Sequence, residues 1–147
     1  DDKKDAGEIG AGHTVTALYE VVPAGKKVNV PGVDPLKYQT PAQPKDGPAT
    51  KELLTVKLRY KQPDGDASKL LEVPVGDGGA TAERASADFK FAAAVAAFGM
   101  LLRDSQFKGD ATFAAVRDLA AAGKGPDPNG YRAEFLTLVD RTAALKR

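Results

Sequence analysis

Residues 7–23 read GEIGAGHTVTALYEVVP and open the predicted sheet. Valine, threonine, leucine and tyrosine dominate this run, so residues 14–22 are predicted to form a β-strand. Pro23 lacks a backbone N–H and is expected to end that strand. The three glycines precede a strand, whereas the glycines of a dinucleotide-binding loop follow one and open a helix. We therefore interpret them as a turn or bulge that leads the chain into the sheet.

A second run, LLTVKLRY at residues 53–60, alternates apolar and polar side chains. This alternation is typical of an antiparallel strand with one buried and one solvated face. Pro63-Asp64-Gly65-Asp66 follows with turn chemistry, and residues 69–75 return as a strand, which predicts a β-hairpin. The side chains expected on the buried face are Leu54, Val56, Leu58 and Tyr60 from the first strand and Leu71, Val73 and Val75 from the second.

From residue 80 onward the chain is rich in alanine, the strongest helix former. The first predicted helix starts at Ser86 or Asp88 and runs to about Asp104. The second is capped by Asp110 and stops near Gly123. The third has Asp127 as N-cap and Pro128 as first helical residue, and it ends near Leu145. The apolar side chains expected to face inward are Phe91, Val95, Phe98, Leu101 and Leu102; Phe113, Val116, Leu119 and Ala120; and Tyr131, Phe135, Leu138, Val139, Thr142 and Leu145.

These elements predict an α+β fold. An antiparallel, sandwich-like β-sheet lobe occupies residues 1–79, and a three-helix, alanine-rich lobe occupies residues 80–147. The two lobes are expected to form one folded unit excised from a longer protein. Gly99 lies inside the first predicted helix, where a close approach of another backbone would explain a glycine.

The segment between the first two predicted strands holds six of the ten prolines, which argues against regular structure over residues 23–50. We interpret it as a surface loop. The alternative is a partner-binding arm with Tyr38 as its anchor, because long loops in compact domains are often functional.

Charge and composition exclude several classes of function. The net charge is +1 and basic residues are interleaved with acidic ones along the chain, which argues against a nucleic-acid binder. The chain has no cysteine, so disulfides and thiolate metal sites are absent. No apolar run reaches the ~20 residues of a membrane span.

His13 is the only histidine, and a catalytic triad would have to use it. No serine lies in a nucleophile elbow and nothing local supplies the partners, so no catalytic residue is assigned. Asp64 and Asp66 do not meet the calcium-loop pattern, so no metal site or cofactor is predicted. Glu8 and His13 remain candidate interaction residues, with Tyr38 as a third.

Four segments resemble one region of known proteins: DAGEIGAGHTVTALYE at 5–20, LLTVKLRYK at 53–61, FAAAVAAFGMLLRDS at 91–105 and GYRAEF at 130–135. Together they resemble the uncharacterised region that follows the type A domain in bacterial von Willebrand factor type A domain proteins. The resemblance spans almost the whole chain, with the proline-rich loop as its weakest part.

This resemblance implies a non-enzymatic accessory and interaction module in a cell-envelope protein, in the periplasm or on the outer surface. The expected partner is another protein or the type A domain of the same chain. An incomplete sheet also leaves an unpaired edge, through which a homo-oligomer could form. The alternatives are a hydrolase built on His13 and Glu8, and a peptide- or carbohydrate-binding module that uses the proline-rich loop and Tyr38.

Overall fold

The computed structural model describes residues 7–22 and 52–146. The predicted proline-rich loop and Tyr38 lie outside the described residues. The chain divides into two units, Asp1–Gly79 and Ala80–Arg147. The described elements are two strands followed by three helices, an α+β arrangement.

The two strands are β1, Glu52–Tyr60, and β2, Lys69–Gly76, and they pair antiparallel as predicted. The turn between them is closed by the Gly65 N–H, which donates to the Gln62 carbonyl at 2.9 Å. Proline at the second position and glycine at the fourth suit a type I turn. A bulge at Leu53 shifts the register near the start of β1. Within the described residues the sheet has only these two strands, and no sandwich is formed.

The strand predicted at residues 14–22 is wrong, because this segment is irregular and exposed. Alternating side chains suit a strand, but a strand also needs ladder hydrogen bonds from a neighbour. No described residue supplies that ladder. The glycine turn is confirmed: the His13 N–H donates to the Gly10 carbonyl at 3.1 Å, and Gly12 has a φ of 77°. A positive φ at the third position of a turn favours glycine.

Helix α1 spans Ala87–Leu102, and the Ser86 hydroxyl accepts the Phe89 N–H at 3.1 Å, as predicted for an N-cap. Its end is a Schellman arrangement, in which the Ser105 N–H donates to the Met100 carbonyl at 2.9 Å and the Asp104 N–H to the Leu101 carbonyl at 3.4 Å. Asp104 takes the left-handed position with a φ of 49°.

Helix α2 spans Phe113–Ala122 and ends at Gly123. Its cap is Thr112, whose hydroxyl accepts the Ala115 N–H at 3.1 Å, so the predicted Asp110 cap is wrong. Threonine caps as aspartate does, and Thr112 stands two residues nearer to the first apolar position of the helix.

Helix α3 spans Tyr131–Leu145, so Pro128 lies before the helix and is not its first residue. Gly130 occupies the N-cap position with a φ of 75°, which leaves no side chain there to cap the helix. The Asp127 carboxylate takes over this task from outside the helix. It accepts the Arg132 N–H at 3.2 Å and the Ala133 N–H at 2.9 Å.

The core of the helical unit lies where the three helices meet. Edge-to-face rings join Phe98 to Phe113 and Phe135, with centroids 6.1 and 5.4 Å apart. The buried side chains are Ala94, Phe98, Val116, Ala120 and Val139. Several large side chains predicted to face inward are instead exposed, namely Val95, Leu102, Tyr131, Leu138 and Leu145.

Close helix packing explains part of this difference. Gly123 is buried, and a Cβ built there would lie 2.5 Å from the Phe91 nitrogen and 2.8 Å from the Ala87 carbonyl oxygen. The α2 end therefore touches the α1 backbone, and the line of closest approach passes Ala94 instead of Val95. By contrast, a Cβ at Gly99 would meet nothing within 4 Å, so the close approach expected there is absent among the described residues.

Candidate functional site: an apolar face on the hairpin

The register of the hairpin collects the larger apolar side chains on one face. Directly paired residues in an antiparallel sheet point to the same side. Leu54 pairs with Val75, Val56 with Val73 and Leu58 with Leu71. We define the hairpin apolar face as Leu54, Val56, Leu58, Tyr60, Leu71, Val73 and Val75.

This face is open to solvent. Leu54 is half-buried, and the other six side chains are between 37% exposed, at Val75, and 54% exposed, at Leu58. The sequence correctly placed these residues on one face but predicted that the face would be buried. Contiguous exposed apolar surface makes this face the candidate site of interaction.

The opposite face of the hairpin carries mostly charged and polar side chains. The Lys57 ammonium lies 2.8 Å from the Glu72 carboxylate directly across the strands, and both side chains are exposed. The Arg59 guanidinium donates to the Ser68 hydroxyl. Leu70 and Pro74 are the apolar exceptions among these paired positions. Exposed ion pairs contribute little to stability, so this face leaves the hairpin dependent on its apolar side.

An isolated two-stranded hairpin is at best marginally stable in water, and a cover over its apolar face is the usual remedy. Removing the rest of each exposed side chain from water would gain on the order of 1 kcal/mol per residue. Covering all six side chains would therefore contribute favourably to the binding of a partner surface, before the cost of association is subtracted.

Glu8 and His13 lie in the irregular segment of residues 7–22, and both are exposed. The His13 imidazole lies over Gly10, where an added Cβ would be 2.9 Å from the ring carbon Cδ2. No side-chain hydrogen bond or ion pair joins Glu8 or His13 to another described residue. The structure therefore does not bring these two residues together with a third polar group in its described part.

Acidic side chains and the histidine do not cluster in the described ranges. Across residues 7–22 and 52–146, no three of them are placed to hold a metal ion. No helix in the described part of the chain is long and apolar enough to cross a membrane.

Arg132 contacts residues of all three helices or their ends, and sequence reasoning did not single it out. Its guanidinium donates to the carbonyls of Gly123 and Lys124 at 3.0 and 3.2 Å and forms an ion pair with Asp88. Its central carbon lies 4.8 Å from the centre of the Phe91 ring, a cation–π contact. Arg132 thus ties the start of α3 to the end of α2 and the start of α1, which is a structural role. The only sequence signal was its place in the GYRAEF segment.

Asp127, beside Arg132, is held ionised. Partial desolvation raises the pKa of its carboxyl, but the backbone N–H groups of Ala133 and Arg132 lower it more, with help from the Lys124 and Arg132 charges. The net pKa lies below its ordinary value of 3.8. Charge and geometry therefore both favour this carboxylate as the anchor of the α3 start.

Comparison with known proteins identifies relatives of unknown role. Residues 1–145 match the family described as "Uncharacterized protein YfbK, C-terminal". Uncharacterized protein YfbK of Escherichia coli (strain K12) is 40% identical over 139 residues, which are 95% of this chain and 23% of that protein. The chain thus spans about a quarter of the length of this curated relative. No solved structure matches the chain.

Proposed function

Because the chain belongs to the family of the C-terminal region of protein YfbK, we propose that it is a non-enzymatic accessory and interaction module. In this proposal it follows a von Willebrand factor type A domain in a longer protein of the bacterial cell envelope. The hairpin apolar face is the surface with which it binds that preceding region of the same protein.

The observation that carries the proposal is the open hairpin apolar face. Seven side chains lie on it, six of them exposed, and a two-stranded hairpin needs such a face covered. Two further findings support it. The E. coli relative is about four times longer than the match, so most of that protein lies outside the matched region. The four segments quoted above resemble the region behind type A domains.

A linked partner also fits the size of the surface. Eight paired residues at about 3.3 Å each, two strands wide, give a face of roughly 260 Å². Stable complexes between separate proteins bury about 800 Å² on each partner. A covalent link raises the effective concentration of the partner to the millimolar range, so a smaller face is sufficient.

The test uses a chimera in which this chain replaces the matching C-terminal region of the E. coli relative. Hydroxyl-radical footprinting reports the exposure of individual side chains. We expect Leu58, Leu71 and Val73 to be oxidised more slowly in the chimera than in the isolated chain. Leu58→Lys should abolish this protection at the other hairpin positions, because a buried unpaired ammonium is costly.

Thr55→Lys on the polar face is the matched control and should leave the protection intact. Equal oxidation of the hairpin in the chimera and in the isolated chain would contradict the proposal. The hydrolase alternative makes a different prediction: a turnover found on a panel of substrates and lost with His13→Ala would replace the module by an enzyme. Sequencing the full gene would show whether a type A domain with its metal motif precedes this region.

A further inference from the structure

Helix α1 has a second apolar side that its own unit does not cover. After Asp88 and Lys90, its residues 91–102 read FAAAVAAFGMLL and contain no polar side chain. One side of α1 enters the core through Ala94 and Phe98. A helix that is apolar all round is normally buried all round.

The open side is centred on Val95 and Leu102, which are 43% and 46% exposed. Ala92 and Gly99 lie beside them on the helical projection, since residues three and four apart share a face. We define the α1 outward face as Ala92, Val95, Gly99 and Leu102, with Phe89 at its edge. Gly99 has nothing within 4 Å of where its Cβ would be, which leaves room for a close neighbour.

The outer sides of α2 and α3 are built differently. They carry exposed charges at Arg117, Asp118, Glu134, Asp140 and Arg141. Arg117 and Asp140 pair with each other at 2.8 Å. The lack of charge over residues 91–102 is therefore a property of this helix and not of the whole helical unit. Asp88, four residues before Ala92, is the one charge at the start of this face.

We infer that the α1 outward face is the docking site for an apolar-faced helix of the preceding region of the same longer protein. This inference rests on the proposed function and adds a second surface and the kind of element that occupies it. The E. coli relative extends far beyond the matched region, because the match covers 23% of its length. Under the proposed function, the corresponding preceding region supplies an occupant from the same chain.

The size of the face argues for a linked occupant over a second free copy. Sixteen residues at 1.5 Å each make α1 about 24 Å long, and with a width of about 10 Å its face covers roughly 240 Å². This is well below the ~800 Å² per partner of stable complexes. Linkage within one chain removes most of that requirement.

The chemistry of the face argues for a helix over an extended segment. An extended segment laid on α1 would place backbone N–H and C=O groups against side chains that cannot bond to them, which is costly. A helix satisfies its own backbone groups. Small residues at Ala92 and Gly99 also let a second helix approach to the 8–10 Å typical of packed helices.

The experiment places benzoylphenylalanine at position 89, at the edge of the face, in the chimera defined above. Ultraviolet cross-linking followed by mass spectrometry then identifies the neighbour. A cross-linked peptide from the preceding region, with apolar residues recurring every three to four positions, is the expected result. A peptide without that spacing, a peptide from a second copy, or no cross-link would overturn the inference.

Footprinting gives a second measurement on the unmodified face. Burial at the level of an interface core, below about 10% exposure, would slow oxidation of Val95 about fourfold relative to the isolated chain. Gly99→Leu fills the open space and should return Val95 to the oxidation rate of the isolated chain. Ala115→Leu, on the exposed side of α2, is the matched control and should have no effect.

These outcomes separate this inference from the proposed function. Loss of hairpin protection with an intact α1 cross-link would contradict the proposed hairpin contact alone. Hairpin protection without α1 protection would contradict this inference alone. Gly99→Leu replaces a poor helix former with a good one, so the isolated chain should unfold at a higher temperature while docking is lost. A mutant that simply misfolds cannot give this pair of results.

Discussion

The helical unit and the hairpin treat similar apolar side chains in opposite ways. In the helical unit Phe98, Val116 and Val139 are buried by their neighbours, and three edge-to-face ring contacts join the helices. In the hairpin, Leu58 and Val73 share a face that stays open. Both regions satisfy their local sequence rules equally well. The difference is whether a second layer among the described residues covers the apolar face, which a domain needs for its core.

The largest expected effect tests this contrast directly. Phe98→Ala should lower the free energy of unfolding of the helical unit by about 3–5 kcal/mol, because it empties a site surrounded by three helices. Leu58→Ala removes a side chain that is 54% exposed and should cost less than about 1 kcal/mol in the isolated chain. Urea denaturation followed by circular dichroism at 222 nm measures the first, and hydrogen exchange of the hairpin amides measures the second. Similar losses in both variants would show that the hairpin face is covered in solution.

This contrast also explains which parts of the fold the sequence could predict. The hairpin followed from alternation and from Pro63-Asp64-Gly65, because turn and register are local properties. Helix α1 followed from alanine content and from Ser86. The strand at 14–22 was wrong because its existence depends on a partner distant in sequence, which alternation cannot report.

The side chains of α1 show a second limit. The prediction was based on the spacing of the large apolar residues. It placed Val95 and Leu102 inward together with Phe91 and Phe98. Because α1 is apolar on both sides, periodicity could not tell which side meets the other helices. That choice is made by Gly123, whose lack of a side chain lets the end of α2 contact the α1 backbone.

The sequence predicted which residues share the hairpin apolar face, but not that this face is exposed. Sequence reasoning grouped the hairpin side chains correctly and assumed a cover for them. It placed its site residues instead at Glu8, His13 and Tyr38. Burial of a strand face is a long-range property, whereas membership of that face is a local one. Arg132 escaped notice because its partners, Gly123, Lys124 and Asp88, are brought together only by the fold.

A pair of glycine substitutions sharpens the comparison between covered and open surfaces. Gly123→Ala puts a methyl group 2.5 Å from the Phe91 nitrogen, where backbone cannot move aside, and should destabilise the helical unit by about 1–3 kcal/mol. Gly99→Ala meets nothing within 4 Å and should stabilise the isolated chain by up to about 1 kcal/mol. Thermal unfolding of the two variants and the wild type shows whether each substitution stabilises or destabilises the chain. A loss of stability in Gly99→Ala would mean that the α1 outward face is already occupied in the isolated chain.

The smallest expected effect concerns how the helical unit holds its third helix. Asp127→Asn removes the charge and one of the two acceptor oxygens that hold the Arg132 and Ala133 N–H groups. Because the folded carboxyl has a pKa below its ordinary 3.8, its stabilising contribution is complete above that pH. It is lost as the pH falls through the folded pKa, where the carboxyl takes up a proton. The wild type and Asp127→Asn should therefore differ most near neutral pH and converge in acid.

Thermal unfolding of both proteins between about pH 6 and about pH 2 follows this convergence. Asp118→Asn, an exposed carboxyl within α2, is the matched control for the loss of one negative charge. If the gap for Asp127→Asn stayed constant down to the lowest pH, the carboxylate charge would not be what anchors α3. The anchoring would then rest on Arg132, whose guanidinium donates to the Gly123 and Lys124 carbonyls.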